Sequence, residues 1–217
     1  MDKTAFHIKT FKEAEDHTTY WLNKSVEERL LAATELTRRA FNLSADDFGK
    51  IDKAYFAIRH QGMNNIFNQD FQDLIKLLNS SDVRYILVGG YSVILHGYSR
   101  STGDIDLWVE PTPENYRKLV EAFTKFGLPV FDMVESKFID TDQYDVFTFG
   151  REPNQVEILT KVKGLKFKEA FAKSTWFEFS DLKVRSLSLA DLKKAKAAAG
   201  RLRDQVDLEQ LGLIDEE

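Results

Sequence analysis

The chain has 217 residues, 43% hydrophobic and 30% charged, with four prolines and eleven glycines. Such a composition builds one globular domain, with or without a small appendage, and excludes a disordered or collagen-like chain. The absence of cysteine excludes disulfides, thiolate metal sites and cysteine nucleophiles and suits a reducing compartment, and a net charge of −5 opposes nonspecific coating of nucleic acid. The first residues carry no apolar run of signal-peptide length, and no stretch approaches the roughly 18 apolar residues that cross a bilayer. A cytoplasmic protein without membrane contact is expected.

In chain order, residues 5–11 alternate weakly. Ser25-Val-Glu-Glu28 then forms a capping box, whose hydroxyl and carboxylate satisfy first-turn amides and start a helix at Val26. Leu30, Leu31, Ala33, Leu36 and Ala40 recur at helical spacing, and Arg38 and Arg39 sit where the helix dipole favours cations. Polar joints at 42–50 and around Gln61, Gly62, Asn64 and Asn65 then set residues 1–66 apart as a helical appendage to a 67–217 domain. Phe71, Leu74, Ile75, Leu77 and Leu78 form the next helical face, and RYILV at 84–88 is a buried strand running into Gly89-Gly90. A short helix over 91–96, a strand over 104–109 and an amphipathic helix over 112–126 with proline in its first turn follow. Strands are expected at 144–149 and 156–159, a hairpin at 176–179 and 182–187, and helices at 188–199 and 202–211 separated by Gly200. Strands interleaved with helices in this way place the domain among those that pack helices on a sheet.

The chemistry concentrates where a strand ends in Gly89-Gly90 and the next opens with Asp104-Ile105-Asp106. Side chains at i and i+2 of a strand share a face, so the two aspartates project together. Their repulsion is relieved by Mg²⁺, which prefers carboxylate and phosphate oxygens. The glycines allow close approach of a triphosphate to backbone amides at a helix start. The alternative is an ordinary strand-to-helix turn beside a solvated strand end. A third carboxylate, Glu157, is flanked by Val156 and Ile158; it is either a partner of the pair or the polar half of an alternating strand.

Competing motifs fail. Gly90-Tyr91-Ser92 lacks the closing glycine of a hydrolase elbow, the glycines near Tyr98 lack a P-loop ending, and His7, His17, His60 and His96 have no zinc spacing. His96 reads as structural. Lys193, Lys194, Lys196, Arg201 and Arg203 form a basic run that is either a solvated helix face or a phosphate-binding surface. The aromatic residues read first as core packing, with Tyr98 and Trp108 as the candidates for stacking on a base.

The string GGYSVILHGYSRSTGDIDLWV resembles the signature of the nucleotidyltransferase superfamily with the DNA polymerase beta-like fold, and the resemblance implies an α+β fold, a mixed sheet flanked by helices. It is most similar to the small bacterial members found in toxin-antitoxin operons. The matching positions are Gly89-Gly90, His96-Gly97, Arg100, Thr102, Asp104 and Asp106, and the likeness extends over 156–160 and 191–211. Residues 11–45 resemble a short module associated with genes neighbouring such enzymes. The resemblance implies nucleotidyl transfer from an NTP, ATP among them, to a hydroxyl, with Mg²⁺ or Mn²⁺ held by Asp104, Asp106 and Glu157. It implies nucleotide contacts at Gly89, Gly90, Ser92, Arg100, Thr102, Lys193, Lys196 and Arg201, an RNA or protein acceptor, and a toxin-antitoxin partner protein. The alternative is a catalytically weak relative acting as a nucleotide-binding or interaction module. Two departures stand out: Gly90 replaces a serine common in active members, leaving bare backbone where a hydroxyl would meet a phosphate, and Glu157 is longer than the commoner aspartate.

Overall fold

The computed structural model describes residues 20–41, 69–151, 154–179 and 181–213. The weakly alternating stretch 5–11 and the joints at 42–50 and 61–65 lie outside them. Helix α1, Val26–Ala40, starts on the expected capping box: Ser25 Oγ accepts from the Glu28 N–H at 3.2 Å and Glu28 Oε2 accepts from the Ser25 N–H at 2.9 Å. Its last turn is tied down by Glu35, which bridges Arg38 and Arg39. Helix α2, Gln69–Ser80, leads into strand β1, Tyr85–Leu87, and helix α3, Gly89–Leu95. Strand β2, Ile105–Val109, precedes helix α4, Pro113–Phe126. The latter is delimited by the Thr112 side-chain cap, proline in its first turn and left-handed Gly127, the start and stop chemistry the sequence displays.

Helix α5, Glu135–Ile139, leads to strands β3, Val146–Arg151, and β4, Asn154–Leu159; helix α6, Phe167–Lys173, leads to the hairpin β5, Thr175–Phe179, and β6, Leu182–Ser186. Helices α7, Leu189–Ala199, and α8, Leu202–Leu213, follow, parted by Gly200 at φ 67°. The expected elements over the described residues are thus present, with two short helices, α5 and α6, in addition. Both are too brief to show a helical period. Among the described residues no helix is long and apolar enough to cross a membrane.

The six strands form one mixed sheet ordered β3-β4-β2-β1-β6-β5. Neighbours β1 and β2, β3 and β4, and β5 and β6 are antiparallel; β2 runs parallel to β4 and β1 parallel to β6. Strand alternation sends Leu87, Ile105, Leu107, Val156 and Ile158 to one face, where they pack with Phe71, Leu74 and Ile75 of α2 and Leu119 and Phe123 of α4. Ile86, Val88 and Trp108 face the other way and meet Phe167 of α6, Leu192 of α7 and Leu211 of α8. Helices therefore cover both faces of the sheet.

Helix α1, read from sequence as part of an appendage, contributes Leu30 and Ala33 to the first of these cores. Its buried stripe is Leu30, Ala33 and Thr37, whereas Leu31 and Leu36 are exposed. Trp108, read as a base-stacking ring, is 2% exposed. Its indole N–H donates to the Thr160 carbonyl at 3.2 Å and its ring meets Phe167 edge-on, so it belongs to the second core.

Candidate active site

The parallel pairing of β2 with β4 sets Asp106 directly beside Glu157, and the antiparallel pairing of β4 with β3 sets Thr148 on the far side of Glu157. Side chains opposed in register share a face, so Thr148, Glu157 and Asp106 form a row across three strands. Asp104 precedes the first residue of β2 and lies on the same side. Burial, then the charges of Glu157 and Asp104, push the Asp106 carboxyl up to about 7, against a hydrogen bond from the Gly90 N–H that favours its ionised form. Burial and then the charges of Asp104 and Asp106 likewise raise the phenol of Tyr91, which packs edge-on against Phe71. The three expected carboxylates are thus brought together electrostatically.

The two glycines are required by different crowding. Gly89 adopts φ 63°, and a Cβ there would overlap the Asp106 carboxylate; only glycine meets both conditions. At Gly90 the space is taken by Arg100 and Thr102, a built Cβ lying 2.8 Å from Thr102 Cβ and closer still to Arg100 Nη2 and Thr102 Oγ1. Position 90 is therefore not bare backbone. A threonine hydroxyl and a guanidinium from the following loop fill the place that a serine side chain would take.

That loop, residues 98–104, is held from two sides. From α1, Thr37 Oγ1 accepts from the Thr102 N–H at 3.0 Å and lies 2.9 Å from the Ala33 carbonyl and 3.0 Å from the Thr102 carbonyl, to which its hydroxyl donates. Arg29 of the same helix donates to the Leu95 carbonyl at 3.0 Å, tying α1 to the end of α3 just before the loop. From α8, Arg203 donates to the Ser101 carbonyl at 2.6 Å, and Asp207, 1% exposed, lies 3.4 Å from Arg100 Nε. Burial lowers the Arg100 pKa against the pull of Asp207, yet a guanidinium stays charged.

Several expected ligand contacts are engaged elsewhere. Ser92 is fully buried and its hydroxyl pairs with Ser186 Oγ at 2.8 Å, so it links α3 to β6 rather than facing a phosphate. Lys196 is also buried, bridging Asp204 at 2.7 Å and Asp207 at 2.8 Å; a cation paired twice in the interior stabilises the α7–α8 packing. Lys193 is half-buried on α7, and Arg201 is exposed between α7 and α8. His96 has the structural role expected of it: its Nε2 meets the Leu187 carbonyl at 2.7 Å, its ring packs on Phe177, and burial lowers its pKa.

Thr37, Tyr91, Thr148 and Asp207 join the site without having been singled out from sequence. Thr37 does carry a signal, a polar residue in register with Leu30 and Ala33; Asp204 and Asp207, one turn apart facing a basic run, carry another.

The donor set suits a divalent cation. Among the described residues no three or more His, Asp and Glu side chains form a ready-made metal cage, but Mg²⁺ is commonly held by one or two carboxylates with substrate phosphates completing the shell. A carboxyl pushed up to about 7 by its burial and by two neighbouring carboxylates is what a cation would relieve.

No protein-family model matches the chain, and no curated protein does. Among solved structures it is similar to the lincosamide antibiotic adenylyltransferase LnuA in its lincomycin-bound form, at 15% identity and a TM-score of 0.47 over 70% of this chain and 99% of that one. It is also similar to the nucleotidyltransferase candidate TM1012 from Thermotoga maritima, at 15% identity and a TM-score of 0.43 over 77% of this chain and 97% of that one.

Proposed function

We propose that this protein is a nucleotidyltransferase that moves a nucleoside monophosphate from an NTP to a hydroxyl and releases pyrophosphate. The observation that carries the reading is the register match of Asp106 with Glu157 beside a glycine turn so tight that Gly89 admits no side chain over the Asp106 carboxylate. Asp104, Asp106 and Glu157 would hold Mg²⁺ or Mn²⁺, which supplies charge neutralisation for the phosphates and polarises the α-phosphorus. The turn at Gly89-Gly90 offers backbone approach to the triphosphate, and Arg100, held over Gly90 by Asp207, adds a fixed positive charge there. Glu157, on the side of Asp106 away from that turn, faces the acceptor. Its carboxylate takes the hydroxyl proton as the acceptor oxygen bonds to the α-phosphorus; the bond from that phosphorus to the α,β-bridging oxygen breaks, and pyrophosphate carries the electron pair away.

The test is incubation of the full chain with each α-labelled NTP, Mg²⁺ or Mn²⁺, and pools of RNA, protein or small-molecule acceptors, following labelled product and pyrophosphate. Asp104→Asn and Asp106→Asn should abolish transfer. Glu157→Gln should lower turnover far more than nucleotide affinity. Full activity in either Asn variant overturns the reading.

A further inference from the structure

Residues 161–185, which include helix α6 and the β5–β6 hairpin, hold seven lysines and arginines against three carboxylates, in a chain whose net charge is −5. Whereas Lys196 of the basic run in α7 is buried in ion pairs, six of these seven cations are exposed. The fold gathers several of them on one face. Leu182 and Val184 of β6 pack in the first core, so Lys183 and Arg185 point to the opposite face. Trp176 of β5 stands in register with Arg185, and Arg84, two residues before Ile86, is directed to the same face.

There Phe171 of α6 gathers two guanidiniums, with Arg185 Cζ 3.9 Å and Arg84 Cζ 4.1 Å from its ring centre. Arg185 Cζ also lies 4.5 Å, and Lys183 Nζ 5.2 Å, from the ring centre of Trp176, which is 40% exposed. Lys168 is one turn before Phe171 on α6, and Lys173 ends that helix. We propose that this surface binds single-stranded nucleic acid, its cations on the phosphates and Trp176 against a base. The inference goes beyond nucleotidyl transfer and stands without it.

The charge here is fixed but not neutralised. Arg185 Nη1 donates to the Phe171 carbonyl at 3.2 Å and to Ser174 Oγ at 2.8 Å, both neutral acceptors. Arg84 and Lys183 pair with Glu110 and Glu178, but among the described residues Arg185, Lys168 and Lys173 join no ion pair. Burial lowers the Arg185 pKa, and the charge of Arg84 acts in the same direction; an anion would relieve that repulsion. A flat exposed ring among cations is what a single strand uses, since every base has a face to stack and every phosphate a charge to pair. A duplex keeps its bases stacked inside and an acidic peptide has none, so neither would use Trp176. Arg84 precedes β1 and Gly89 follows it, so five residues at about 3.3 Å each put the surface roughly 16 Å from the glycine turn. A bound strand therefore leaves the nucleotide turn open.

The probe is a fluorescein-labelled dodecameric oligouridylate, titrated into the full chain by fluorescence anisotropy over a series of salt concentrations. It should bind with a slope of log affinity against log salt of about −2 to −3, that of three or four phosphate contacts. Trp176→Ala should weaken binding about fivefold or more, and Trp176→Phe, which keeps a ring, should hold it within about threefold. Lys168→Ala combined with Lys173→Ala should flatten the slope by about 1.4. Lys125→Ala, on α4 across the sheet, should change neither quantity. The substituted side chains are exposed, so all variants should melt as the wild type does. Saturating Mg-ATP should leave oligonucleotide affinity within twofold. Absence of binding, a slope unmoved by the lysine pair, or equal losses in Lys125→Ala overturns the proposal. So does competition with Mg-ATP, or binding of a duplex of the same length, of polyglutamate or of phosphatidylserine vesicles as tightly as the single strand. A failed transfer assay with oligouridylate still bound and variant-sensitive would count against the transfer reading and leave this surface standing.

Discussion

Thr37→Val tests whether helix α1 is part of the active site or merely its neighbour. Valine preserves the shape of threonine but removes the hydroxyl that receives the Thr102 N–H at 3.0 Å and supplies the Ala33 or Thr102 carbonyl. Thr37 is fully buried, so water does not replace the lost partner, and an unpaired buried donor costs about 1–3 kcal/mol. In a chain of this size each kcal/mol lowers the melting temperature by about 2–4 °C, so a fall of about 2–12 °C is expected. The functional consequence follows from the position of Thr102, whose side chain fills the space over Gly90 two residues before Asp104. Freeing the loop should weaken Mg-ATP binding about tenfold, or about 1.4 kcal/mol. Calorimetric titration of Mg-ATP beside thermal melts reads both effects. Thr37→Ser retains the hydroxyl and should restore affinity. Leu30→Ala leaves a cavity that costs about 2–5 kcal/mol but makes no bond to the loop, so it should lower stability more while keeping affinity within twofold. If Thr37→Val binds Mg-ATP as the wild type does, or if Leu30→Ala weakens binding equally, the positioning role is refuted.

Asp106→Asn should abolish transfer yet flatten the pH dependence of stability. Its carboxyl is raised to about 7 in the fold from an ordinary value near 4, so its protonated form favours the native state. The contribution is fully present below about pH 4 and is lost as pH rises through 7; metal-free wild type should melt progressively lower over that window and the Asn variant less so, and identical profiles would refute the carboxylate crowding. Gly90→Ser should lower nucleotide affinity, since the new side chain displaces Arg100 and Thr102; improved binding would show the space to be open. A chain beginning at Asn65 loses Leu30 and Ala33 from the first core and should melt lower and aggregate; an unchanged melting temperature would restore the separable appendage. Lys196→Ala breaks a buried double ion pair and should cost about 3–5 kcal/mol, whereas exposed Lys194→Ala should be silent in the same urea melts.

Local chemistry made much of the fold readable. The Ser25 box, the Thr112 cap with Pro113, and the Ser188 start with its Gly200 stop each act within one helical turn, so a short window of sequence contains the whole signal. Asp104 and Asp106, the residue before β2 and its second residue, fall within one such window. The register that joins Asp106 to Glu157 spans 51 positions and arises from parallel pairing, which no window displays. Ser92 and Lys196 misled because polarity predicts exposure only when no buried partner exists, and here Ser186 and Asp207 are such partners. Trp108 misled because its one polar atom is satisfied by a carbonyl 52 residues away.

The basic run shows how a linear charge count redistributes in three dimensions. Lys196 and Arg100 both lean on Asp207, so the charge expected to meet phosphate is divided: Lys196 anchors α8 to α7, and α8 in turn places Arg100 over the glycine turn. A buried ionic chain of this kind adds little net stability relative to apolar packing, but it fixes geometry, because a displaced member would strand a charge in the interior. On its other side the same loop is fixed by a hydroxyl from residue 37. The loop that carries Thr102 and leads to Asp104 thus takes its hydrogen bonds from residues 65 positions before it and 102 positions after it. The loop over Gly90 is therefore fixed from both sides, by helix α1 through Thr37 and by helix α8 through Arg203.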